Sequence, residues 1–152
     1  MIGRQDLSEQ AGKQSAADVL QGARVLLIDD DPDLHHAIRQ MLEPAGCTVT
    51  CCSSGPAGID QLRQDLPDVL LLDVMLSTPT EGFNVAFRIR QEPRLQSVPI
   101  VMISAIGEYL GLDFAKQLGD GYVRADDYLE KPFDAETLRR VLSEVLAGKD
   151  RT

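Results

Sequence analysis

The chain has 152 residues, with 15 Lys and Arg against 24 Asp and Glu, a formal net charge of −9. That length suits one domain, and 43% hydrophobic with 26% charged residues is the balance of a packed globule, not of a disordered chain. The negative balance argues against nucleic acid and against an anionic membrane surface, because both require a basic patch.

Residues 1–22 are polar and rich in small residues, with no apolar run of the signal-peptide kind, and read as a tail in which 14–21 could form a turn or two of helix. Arg24-Val25-Leu26-Leu27-Ile28 is a short, almost wholly apolar run ending in acids, as expected of a strand buried on both faces of a parallel sheet. From Pro32, Leu34, Ala37, Ile38, Met41 and Leu42 recur at helical spacing after an Asp31-Pro32 entry, and Pro44-Ala45-Gly46 stops the helix. His35 and His36 read as part of its solvated face. Thr48–Cys52 is a second strand, with Ser53-Ser54-Gly55-Pro56 as the turn into a helix lined by Ile59, Leu62 and Leu66. The three cysteines, Cys47, Cys51 and Cys52, are clustered and lack a second cluster to complete a zinc site. Adjacent Cys51 and Cys52 would point to opposite faces of a strand, so reduced, packed thiols are expected.

Residues 69–72 form the most apolar strand, ending in Asp73. Phe83, Phe87 and Ile89 or Arg90 mark a third helix, closed by Pro93. A fourth strand, 100–103, leaves into Ser104, a helix is expected over 105–118, and Tyr128-Leu129-Glu130 is the fifth strand. Asp134 caps a last helix carrying Leu138, Val141, Leu142 and Val145. Strict alternation of strand and helix predicts a doubly wound α/β sheet with right-handed crossovers. The expected organisation is a tail over 1–22, one domain over 23–147 and a short tail over 148–152. The longest apolar runs are far too short to cross a bilayer, so no membrane association and a cytoplasmic location are expected.

Sites in such sheets lie at the carboxyl ends of the strands. The ends here supply Asp29-Asp30-Asp31, Asp73, Ser104 and Lys131 from four separate strands. Two carboxylates about 5 Å apart repel by roughly 3 kcal/mol at an effective dielectric of 20, so the cluster calls for a cation. A hard, oxygen-loving divalent ion such as Mg²⁺ suits it, and would leave positions open for phosphate oxygens. Lys131 could pair with a phosphoryl charge and the Ser104 hydroxyl could donate to one of its oxygens. Asp73, alone at the end of the central apolar strand, is the candidate nucleophile, and an aspartyl phosphate is a known product of that kind.

The segments Val25-Leu26-Leu27-Ile28-Asp29-Asp30-Asp31-Pro32-Asp33, Pro67-Asp68-Val69-Leu70-Leu71-Leu72-Asp73-Val74-Met75-Leu76, Ile100-Val101-Met102-Ile103-Ser104-Ala105 and Asp126-Asp127-Tyr128-Leu129-Glu130-Lys131-Pro132-Phe133 together resemble the receiver domains of two-component response regulators. The resemblance spans about 23–147, with all four segments in the family's order. It implies a flavodoxin-like, five-stranded parallel sheet of order 2-1-3-4-5. It implies Asp73 as acceptor of a phosphoryl group from the phosphohistidine of a histidine kinase or phosphotransfer protein. Asp30, Asp73 and the Met75 backbone carbonyl would hold Mg²⁺, with Asp29 assisting. Ser104 and Lys131 would contact the phosphoryl group, Tyr128 would be the aromatic that turns inward as Ser104 shifts, and Lys131-Pro132 would carry a cis peptide. Met75 and Ile106, each two positions past a site residue, would tune the lifetime of the phosphate.

Two departures from the family pattern stand out. Leu76 is followed by Ser77 where a Pro is usual nearby, and Gly82 lies nine positions after Asp73, one more than usual. The interval from Ser104 to Lys131, 131 − 104 = 27 positions, is also lengthened, the extra residues falling in 107–124. That stretch borders a common signalling face. Because only one helix fits after Phe133, output through contact with a downstream protein is expected, with a phosphorylation-dependent homodimer as a further expected partner. The chain would then be a phosphoacceptor, not an enzyme, capable only of self-phosphotransfer and slow autodephosphorylation. A phosphohydrolase of the aspartyl-phosphate type is the rival, but it needs a second acid two positions after the nucleophile, where Met75 stands. An inert binding module would need none of Asp29, Asp30, Asp73, Ser104 or Lys131. A dinucleotide-binding fold is excluded by acids where its Gly-rich turn belongs.

Overall fold

The computed structural model describes residues 19–76, 81–105 and 125–149. Within them, β1 (Arg24–Ile28), α1 (Pro32–Leu42), β2 (Thr48–Cys52), α2 (Gly55–Gln64), β3 (Val69–Asp73), α3 (Glu81–Gln91), β4 (Ile100–Ala105), β5 (Asp127–Lys131) and α4 (Ala135–Lys149) follow in order. The strands form one parallel sheet, β2-β1-β3-β4-β5. This is the flavodoxin-like order that the family resemblance implies.

Burial along the strands explains the order. Every residue of β3 is buried, as is β1 after its first residue, whereas β2 and β5 mix buried and accessible positions. Wholly apolar strands belong at the centre of a parallel sheet covered on both faces, and mixed ones at its edges. Alternate residues then feed two cores. Leu26, Ile28, Leu70, Leu72, Ile100 and Met102 pack with α2 and α3 on one face. Val25, Leu27, Val69, Leu71, Val101 and Ile103 pack with α1 and α4 on the other. Cys51 joins the second cluster and Cys52 the first, so the neighbouring thiols do face opposite ways. Burial pushes the Cys47 and Cys52 thiols above their ordinary range, the opposite of an activated thiolate.

The helix ends follow the sequence signals. Asp31 caps α1, its carboxylate accepting from the Asp33 amide at 2.9 Å, with Pro32 next. A 3-10 turn over Glu43–Ala45 ends at Gly46 with φ of 95°, a conformation that favours glycine. Ser54 caps α2 and Asp134 caps α4.

Four details depart from the sequence reading. The packed chain begins before residue 22: Val19 and Leu20 are helical, and Leu20, 1% exposed, belongs to the core under α1 and α4. Helix α2 ends at Gln64, leaving Leu66 43% exposed beyond it. Helix α3 buries Gly82, Phe83, Val85, Ala86 and Ile89, a stripe centred away from Phe87, which is 38% exposed. Ala105 extends β4 instead of opening a helix. The rest of the expected 105–118 helix, like residues 1–18 of the expected 1–22 tail and 150–152 of the expected 148–152 tail, lies outside the described residues.

Candidate functional site

Because all five strands run parallel, their carboxyl ends share one edge. Asp29 follows β1 directly, Asp73 ends β3, and Lys131 ends β5. Ser104 lies one position beyond Ile103, the β4 partner of Asp73, and its neighbour Ala105 pairs with Lys131. The sheet register therefore gathers residues far apart in the chain.

Asp29, Asp30 and Asp73 each offer a carboxylate oxygen, and these oxygens all lie within 4.8 Å of one another. Asp29 is 0% and Asp73 3% exposed, while Asp30 is open to solvent. The Lys131 ammonium lies 3.4 Å from Asp29 Oδ2 and 3.8 Å from Asp73 Oδ1, bridging the two buried acids. Among the described residues, one ammonium faces three carboxylates, and each like-charged pair at this spacing costs about 3 kcal/mol at an effective dielectric of 20. An all-oxygen donor set of three clustered carboxylates fits a hard divalent cation.

Backbone groups hold the acids in place. The Asp31 amide donates to Asp29 Oδ1 at 2.8 Å, and the Met75 amide to Asp73 Oδ1 at 3.3 Å. The Asp29 amide donates to the Cys52 carbonyl at 3.0 Å, and the Val74 amide to the Ile103 carbonyl at 2.9 Å. Ser104 is fully buried and its Oγ donates to the Ala105 carbonyl at 3.1 Å. Tyr128 is half-buried beside the core that contains Met102, its register partner. Met75 is exposed at the mouth of the cluster. The Lys131-Pro132 peptide is cis, as the resemblance implies. Ile106 lies outside the described residues.

Two further residues bear on the site. A Cβ at Gly82 would sit 2.6 Å from Val74 Cα and 2.7 Å from its carbonyl oxygen, and closer still to the Asp73 carbonyl, so only glycine lets α3 press on the end of β3. The Gly82 amide donates to the Val74 carbonyl at 2.8 Å. The other is His35, read from the sequence as solvated. It is half-buried, and its Nε2 lies 2.5 Å from the Asp29 carbonyl. The odd spacing of Gly82 was visible in the sequence, but a side chain reaching back six positions left no periodic signal.

A parallel sheet of this order with three acids gathered at the ends of β1 and β3 and a lysine at the end of β5 defines a class of proteins, and sequence comparison agrees. The chain belongs to the response regulator receiver domain family, whose profile matches residues 25–143. Protein PilH of Pseudomonas aeruginosa is 31% identical over 83% of this chain and 99% of its own length. The DNA-binding dual master transcriptional regulator RpaA of Synechocystis is 36% identical over 84% of this chain and 51% of its own. The chain thus spans about half the length of some curated relatives it matches. Among solved structures, the receiver domain of sensor histidine kinase PA1611 from Pseudomonas aeruginosa, with magnesium in its active-site cleft, superposes with a TM-score of 0.72 at 26% identity, covering 83% of this chain and 98% of that one. The chain is accordingly a receiver domain of two-component signalling. Among the described residues, no helix is long and apolar enough to cross a membrane.

Proposed function

We propose that Asp73 is the phosphoacceptor of this receiver. In this reading an Asp73 carboxylate oxygen attacks the phosphorus of a phosphohistidine on a histidine kinase or phosphotransfer protein. The P–N bond breaks, its electron pair stays with the departing imidazole, and an acyl phosphate forms. Asp29, Asp30, Asp73 and the Met75 carbonyl would hold Mg²⁺, which supplies charge neutralisation for the phosphoryl oxygens. Lys131 would turn its ammonium from the acid pair to the new phosphoryl group, and Ser104 would donate its hydroxyl to a phosphoryl oxygen. Rearrangement of Ser104 and Tyr128 would carry the change to a protein-binding surface, so that signalling works by biasing two states of that surface. The chain acts as a phosphoacceptor with slow self-dephosphorylation and not as a turnover enzyme.

The observation that carries this reading is the meeting of three carboxylate oxygens within 4.8 Å beside a bridging ammonium. The test is incubation with Mg²⁺ and acetyl phosphate, followed by intact-mass measurement. The expected result is one added, base-labile phosphoryl group, absent in Asp73→Asn and absent after chelation of Mg²⁺. Incorporation that survives Asp73→Asn refutes the assignment.

A further inference from the structure

We infer that His35 is a positioning residue for the Mg²⁺-binding acids, acting through the peptide that joins Asp29 to Asp30. The inference rests on the reading that those acids hold Mg²⁺, and concerns how this chain sets their geometry.

The ladder of β1 ends at Ile28, which is paired with Cys52 on one side and Leu72 on the other. The Asp29 amide is still held by the sheet, donating to the Cys52 carbonyl. Its carbonyl lies past the last register pair, in the turn before α1, and there His35 Nε2 meets it at 2.5 Å. A carbonyl can only accept, so Nε2 carries the proton and donates. The reach is natural for a helix, because side chains in the first turn tilt toward the N-terminus. Asp31 caps the same turn while its amide holds Asp29 Oδ1. Asp29 is thereby fixed at amide, carbonyl and carboxylate.

The consequence falls on Asp30. The Asp29 carbonyl belongs to the peptide unit that sets where the Asp30 Cα begins. If that unit rotates, the exposed Asp30 carboxylate swings relative to the buried Asp29 and Asp73 oxygens. Mg²⁺ tolerates such a change poorly, since it demands near-octahedral geometry at short distance. Outer partners that orient metal ligands commonly account for tenfold or more in affinity.

The test is Mg²⁺ affinity of the full chain, read by calorimetry and by amide chemical shifts at one pH, with metal-free thermal unfolding recorded alongside. His35→Ala is expected to weaken Mg²⁺ binding about tenfold. His35→Gln places an Nε2–H donor the same number of bonds from the backbone and is expected to restore affinity to within about twofold. His36→Ala removes the exposed neighbouring imidazole and should leave binding unchanged. A purely structural role would lower the unfolding temperature of His35→Ala without moving the affinity of its folded fraction. Unchanged affinity in His35→Ala, or a Gln variant as weak as the Ala variant, overturns the inference. Absence of Mg²⁺ binding by the unmodified protein would instead overturn the functional reading beneath it.

Discussion

Asp29 and Asp30 are neighbours in the chain but do different work. Asp29 is buried, accepts from the Asp31 amide and lies against Lys131, so its carboxylate is part of the frame of the site. Asp30 is exposed, and its oxygen approaches the other two only at the mouth of the cluster. Truncating Asp29 leaves the Asp31 amide without its acceptor and the Lys131 ammonium with one buried acid, Asp73, in place of two, whereas truncating Asp30 removes an exposed charge from the repelling cluster. Asp29→Ala should therefore cost about 2 kcal/mol of metal-free stability, a figure reduced for the partial exposure of Lys131. Asp30→Ala should leave that stability unchanged or slightly raised, yet weaken Mg²⁺ binding more than Asp29→Ala does. Denaturant unfolding and Mg²⁺ titration of the two variants check both halves. The reverse order of affinities would contradict the division of roles.

At the scale of elements, the site depends on how closely α3 approaches β3. Gly82 allows that approach, with its amide on the Val74 carbonyl and no room for a Cβ against the Asp73 and Val74 backbone. A methyl group at this position meets main chain, which cannot swing aside as a side chain can. Gly55 is the useful comparison, since a Cβ there would meet the Val85 side chain at 2.6 Å. Gly82→Ala should lose about 2–3 kcal/mol of stability and also weaken Mg²⁺ binding, because the Asp73–Met75 segment shifts with β3. Gly55→Ala should lose stability alone. Equal Mg²⁺ affinity in the two variants would show that α3 does not set the site.

The same comparison shows what the chain made legible. The strands and the acids at their ends were readable because burial on both faces demands continuous apolar runs, and because parallel strands must end on one edge. Cys51 and Cys52 were assigned to opposite faces by pleat alone. Phe87 and Leu66 are exposed against expectation because apolar spacing does not say where a helix stops or how its stripe is centred. Leu20 lay in a stretch of polar and small residues, where a single buried leucine makes no period. His35 is not legible as a site residue, and Gly82 is legible only as an odd spacing, for a further reason: their roles depend on backbone atoms elsewhere in the chain, which no side-chain pattern records.

Across the whole molecule, the net charge of −9 is partly a local quantity. Three of its carboxylates crowd within 4.8 Å and, among the described residues, face one ammonium. The folded state holds this repulsion, while the unfolded chain disperses it, so a cation that binds only the assembled cluster must stabilise the fold. At a free Mg²⁺ concentration one hundred times its dissociation constant, the gain is about 2.7 kcal/mol. For a domain of this size that corresponds to a rise in Tm of roughly 8 °C. The rise should follow the logarithm of free Mg²⁺ above saturation, as binding linkage requires, and should be clearly smaller in Asp30→Ala at the same concentrations. Monovalent salt at matched ionic strength should give a much smaller shift, because screening acts weakly on a pair as buried as Asp29 and Asp73. Thermal unfolding over a Mg²⁺ series, with a NaCl series as control, separates the two. An equal response to both salts would mean that the cluster acts only as diffuse surface charge.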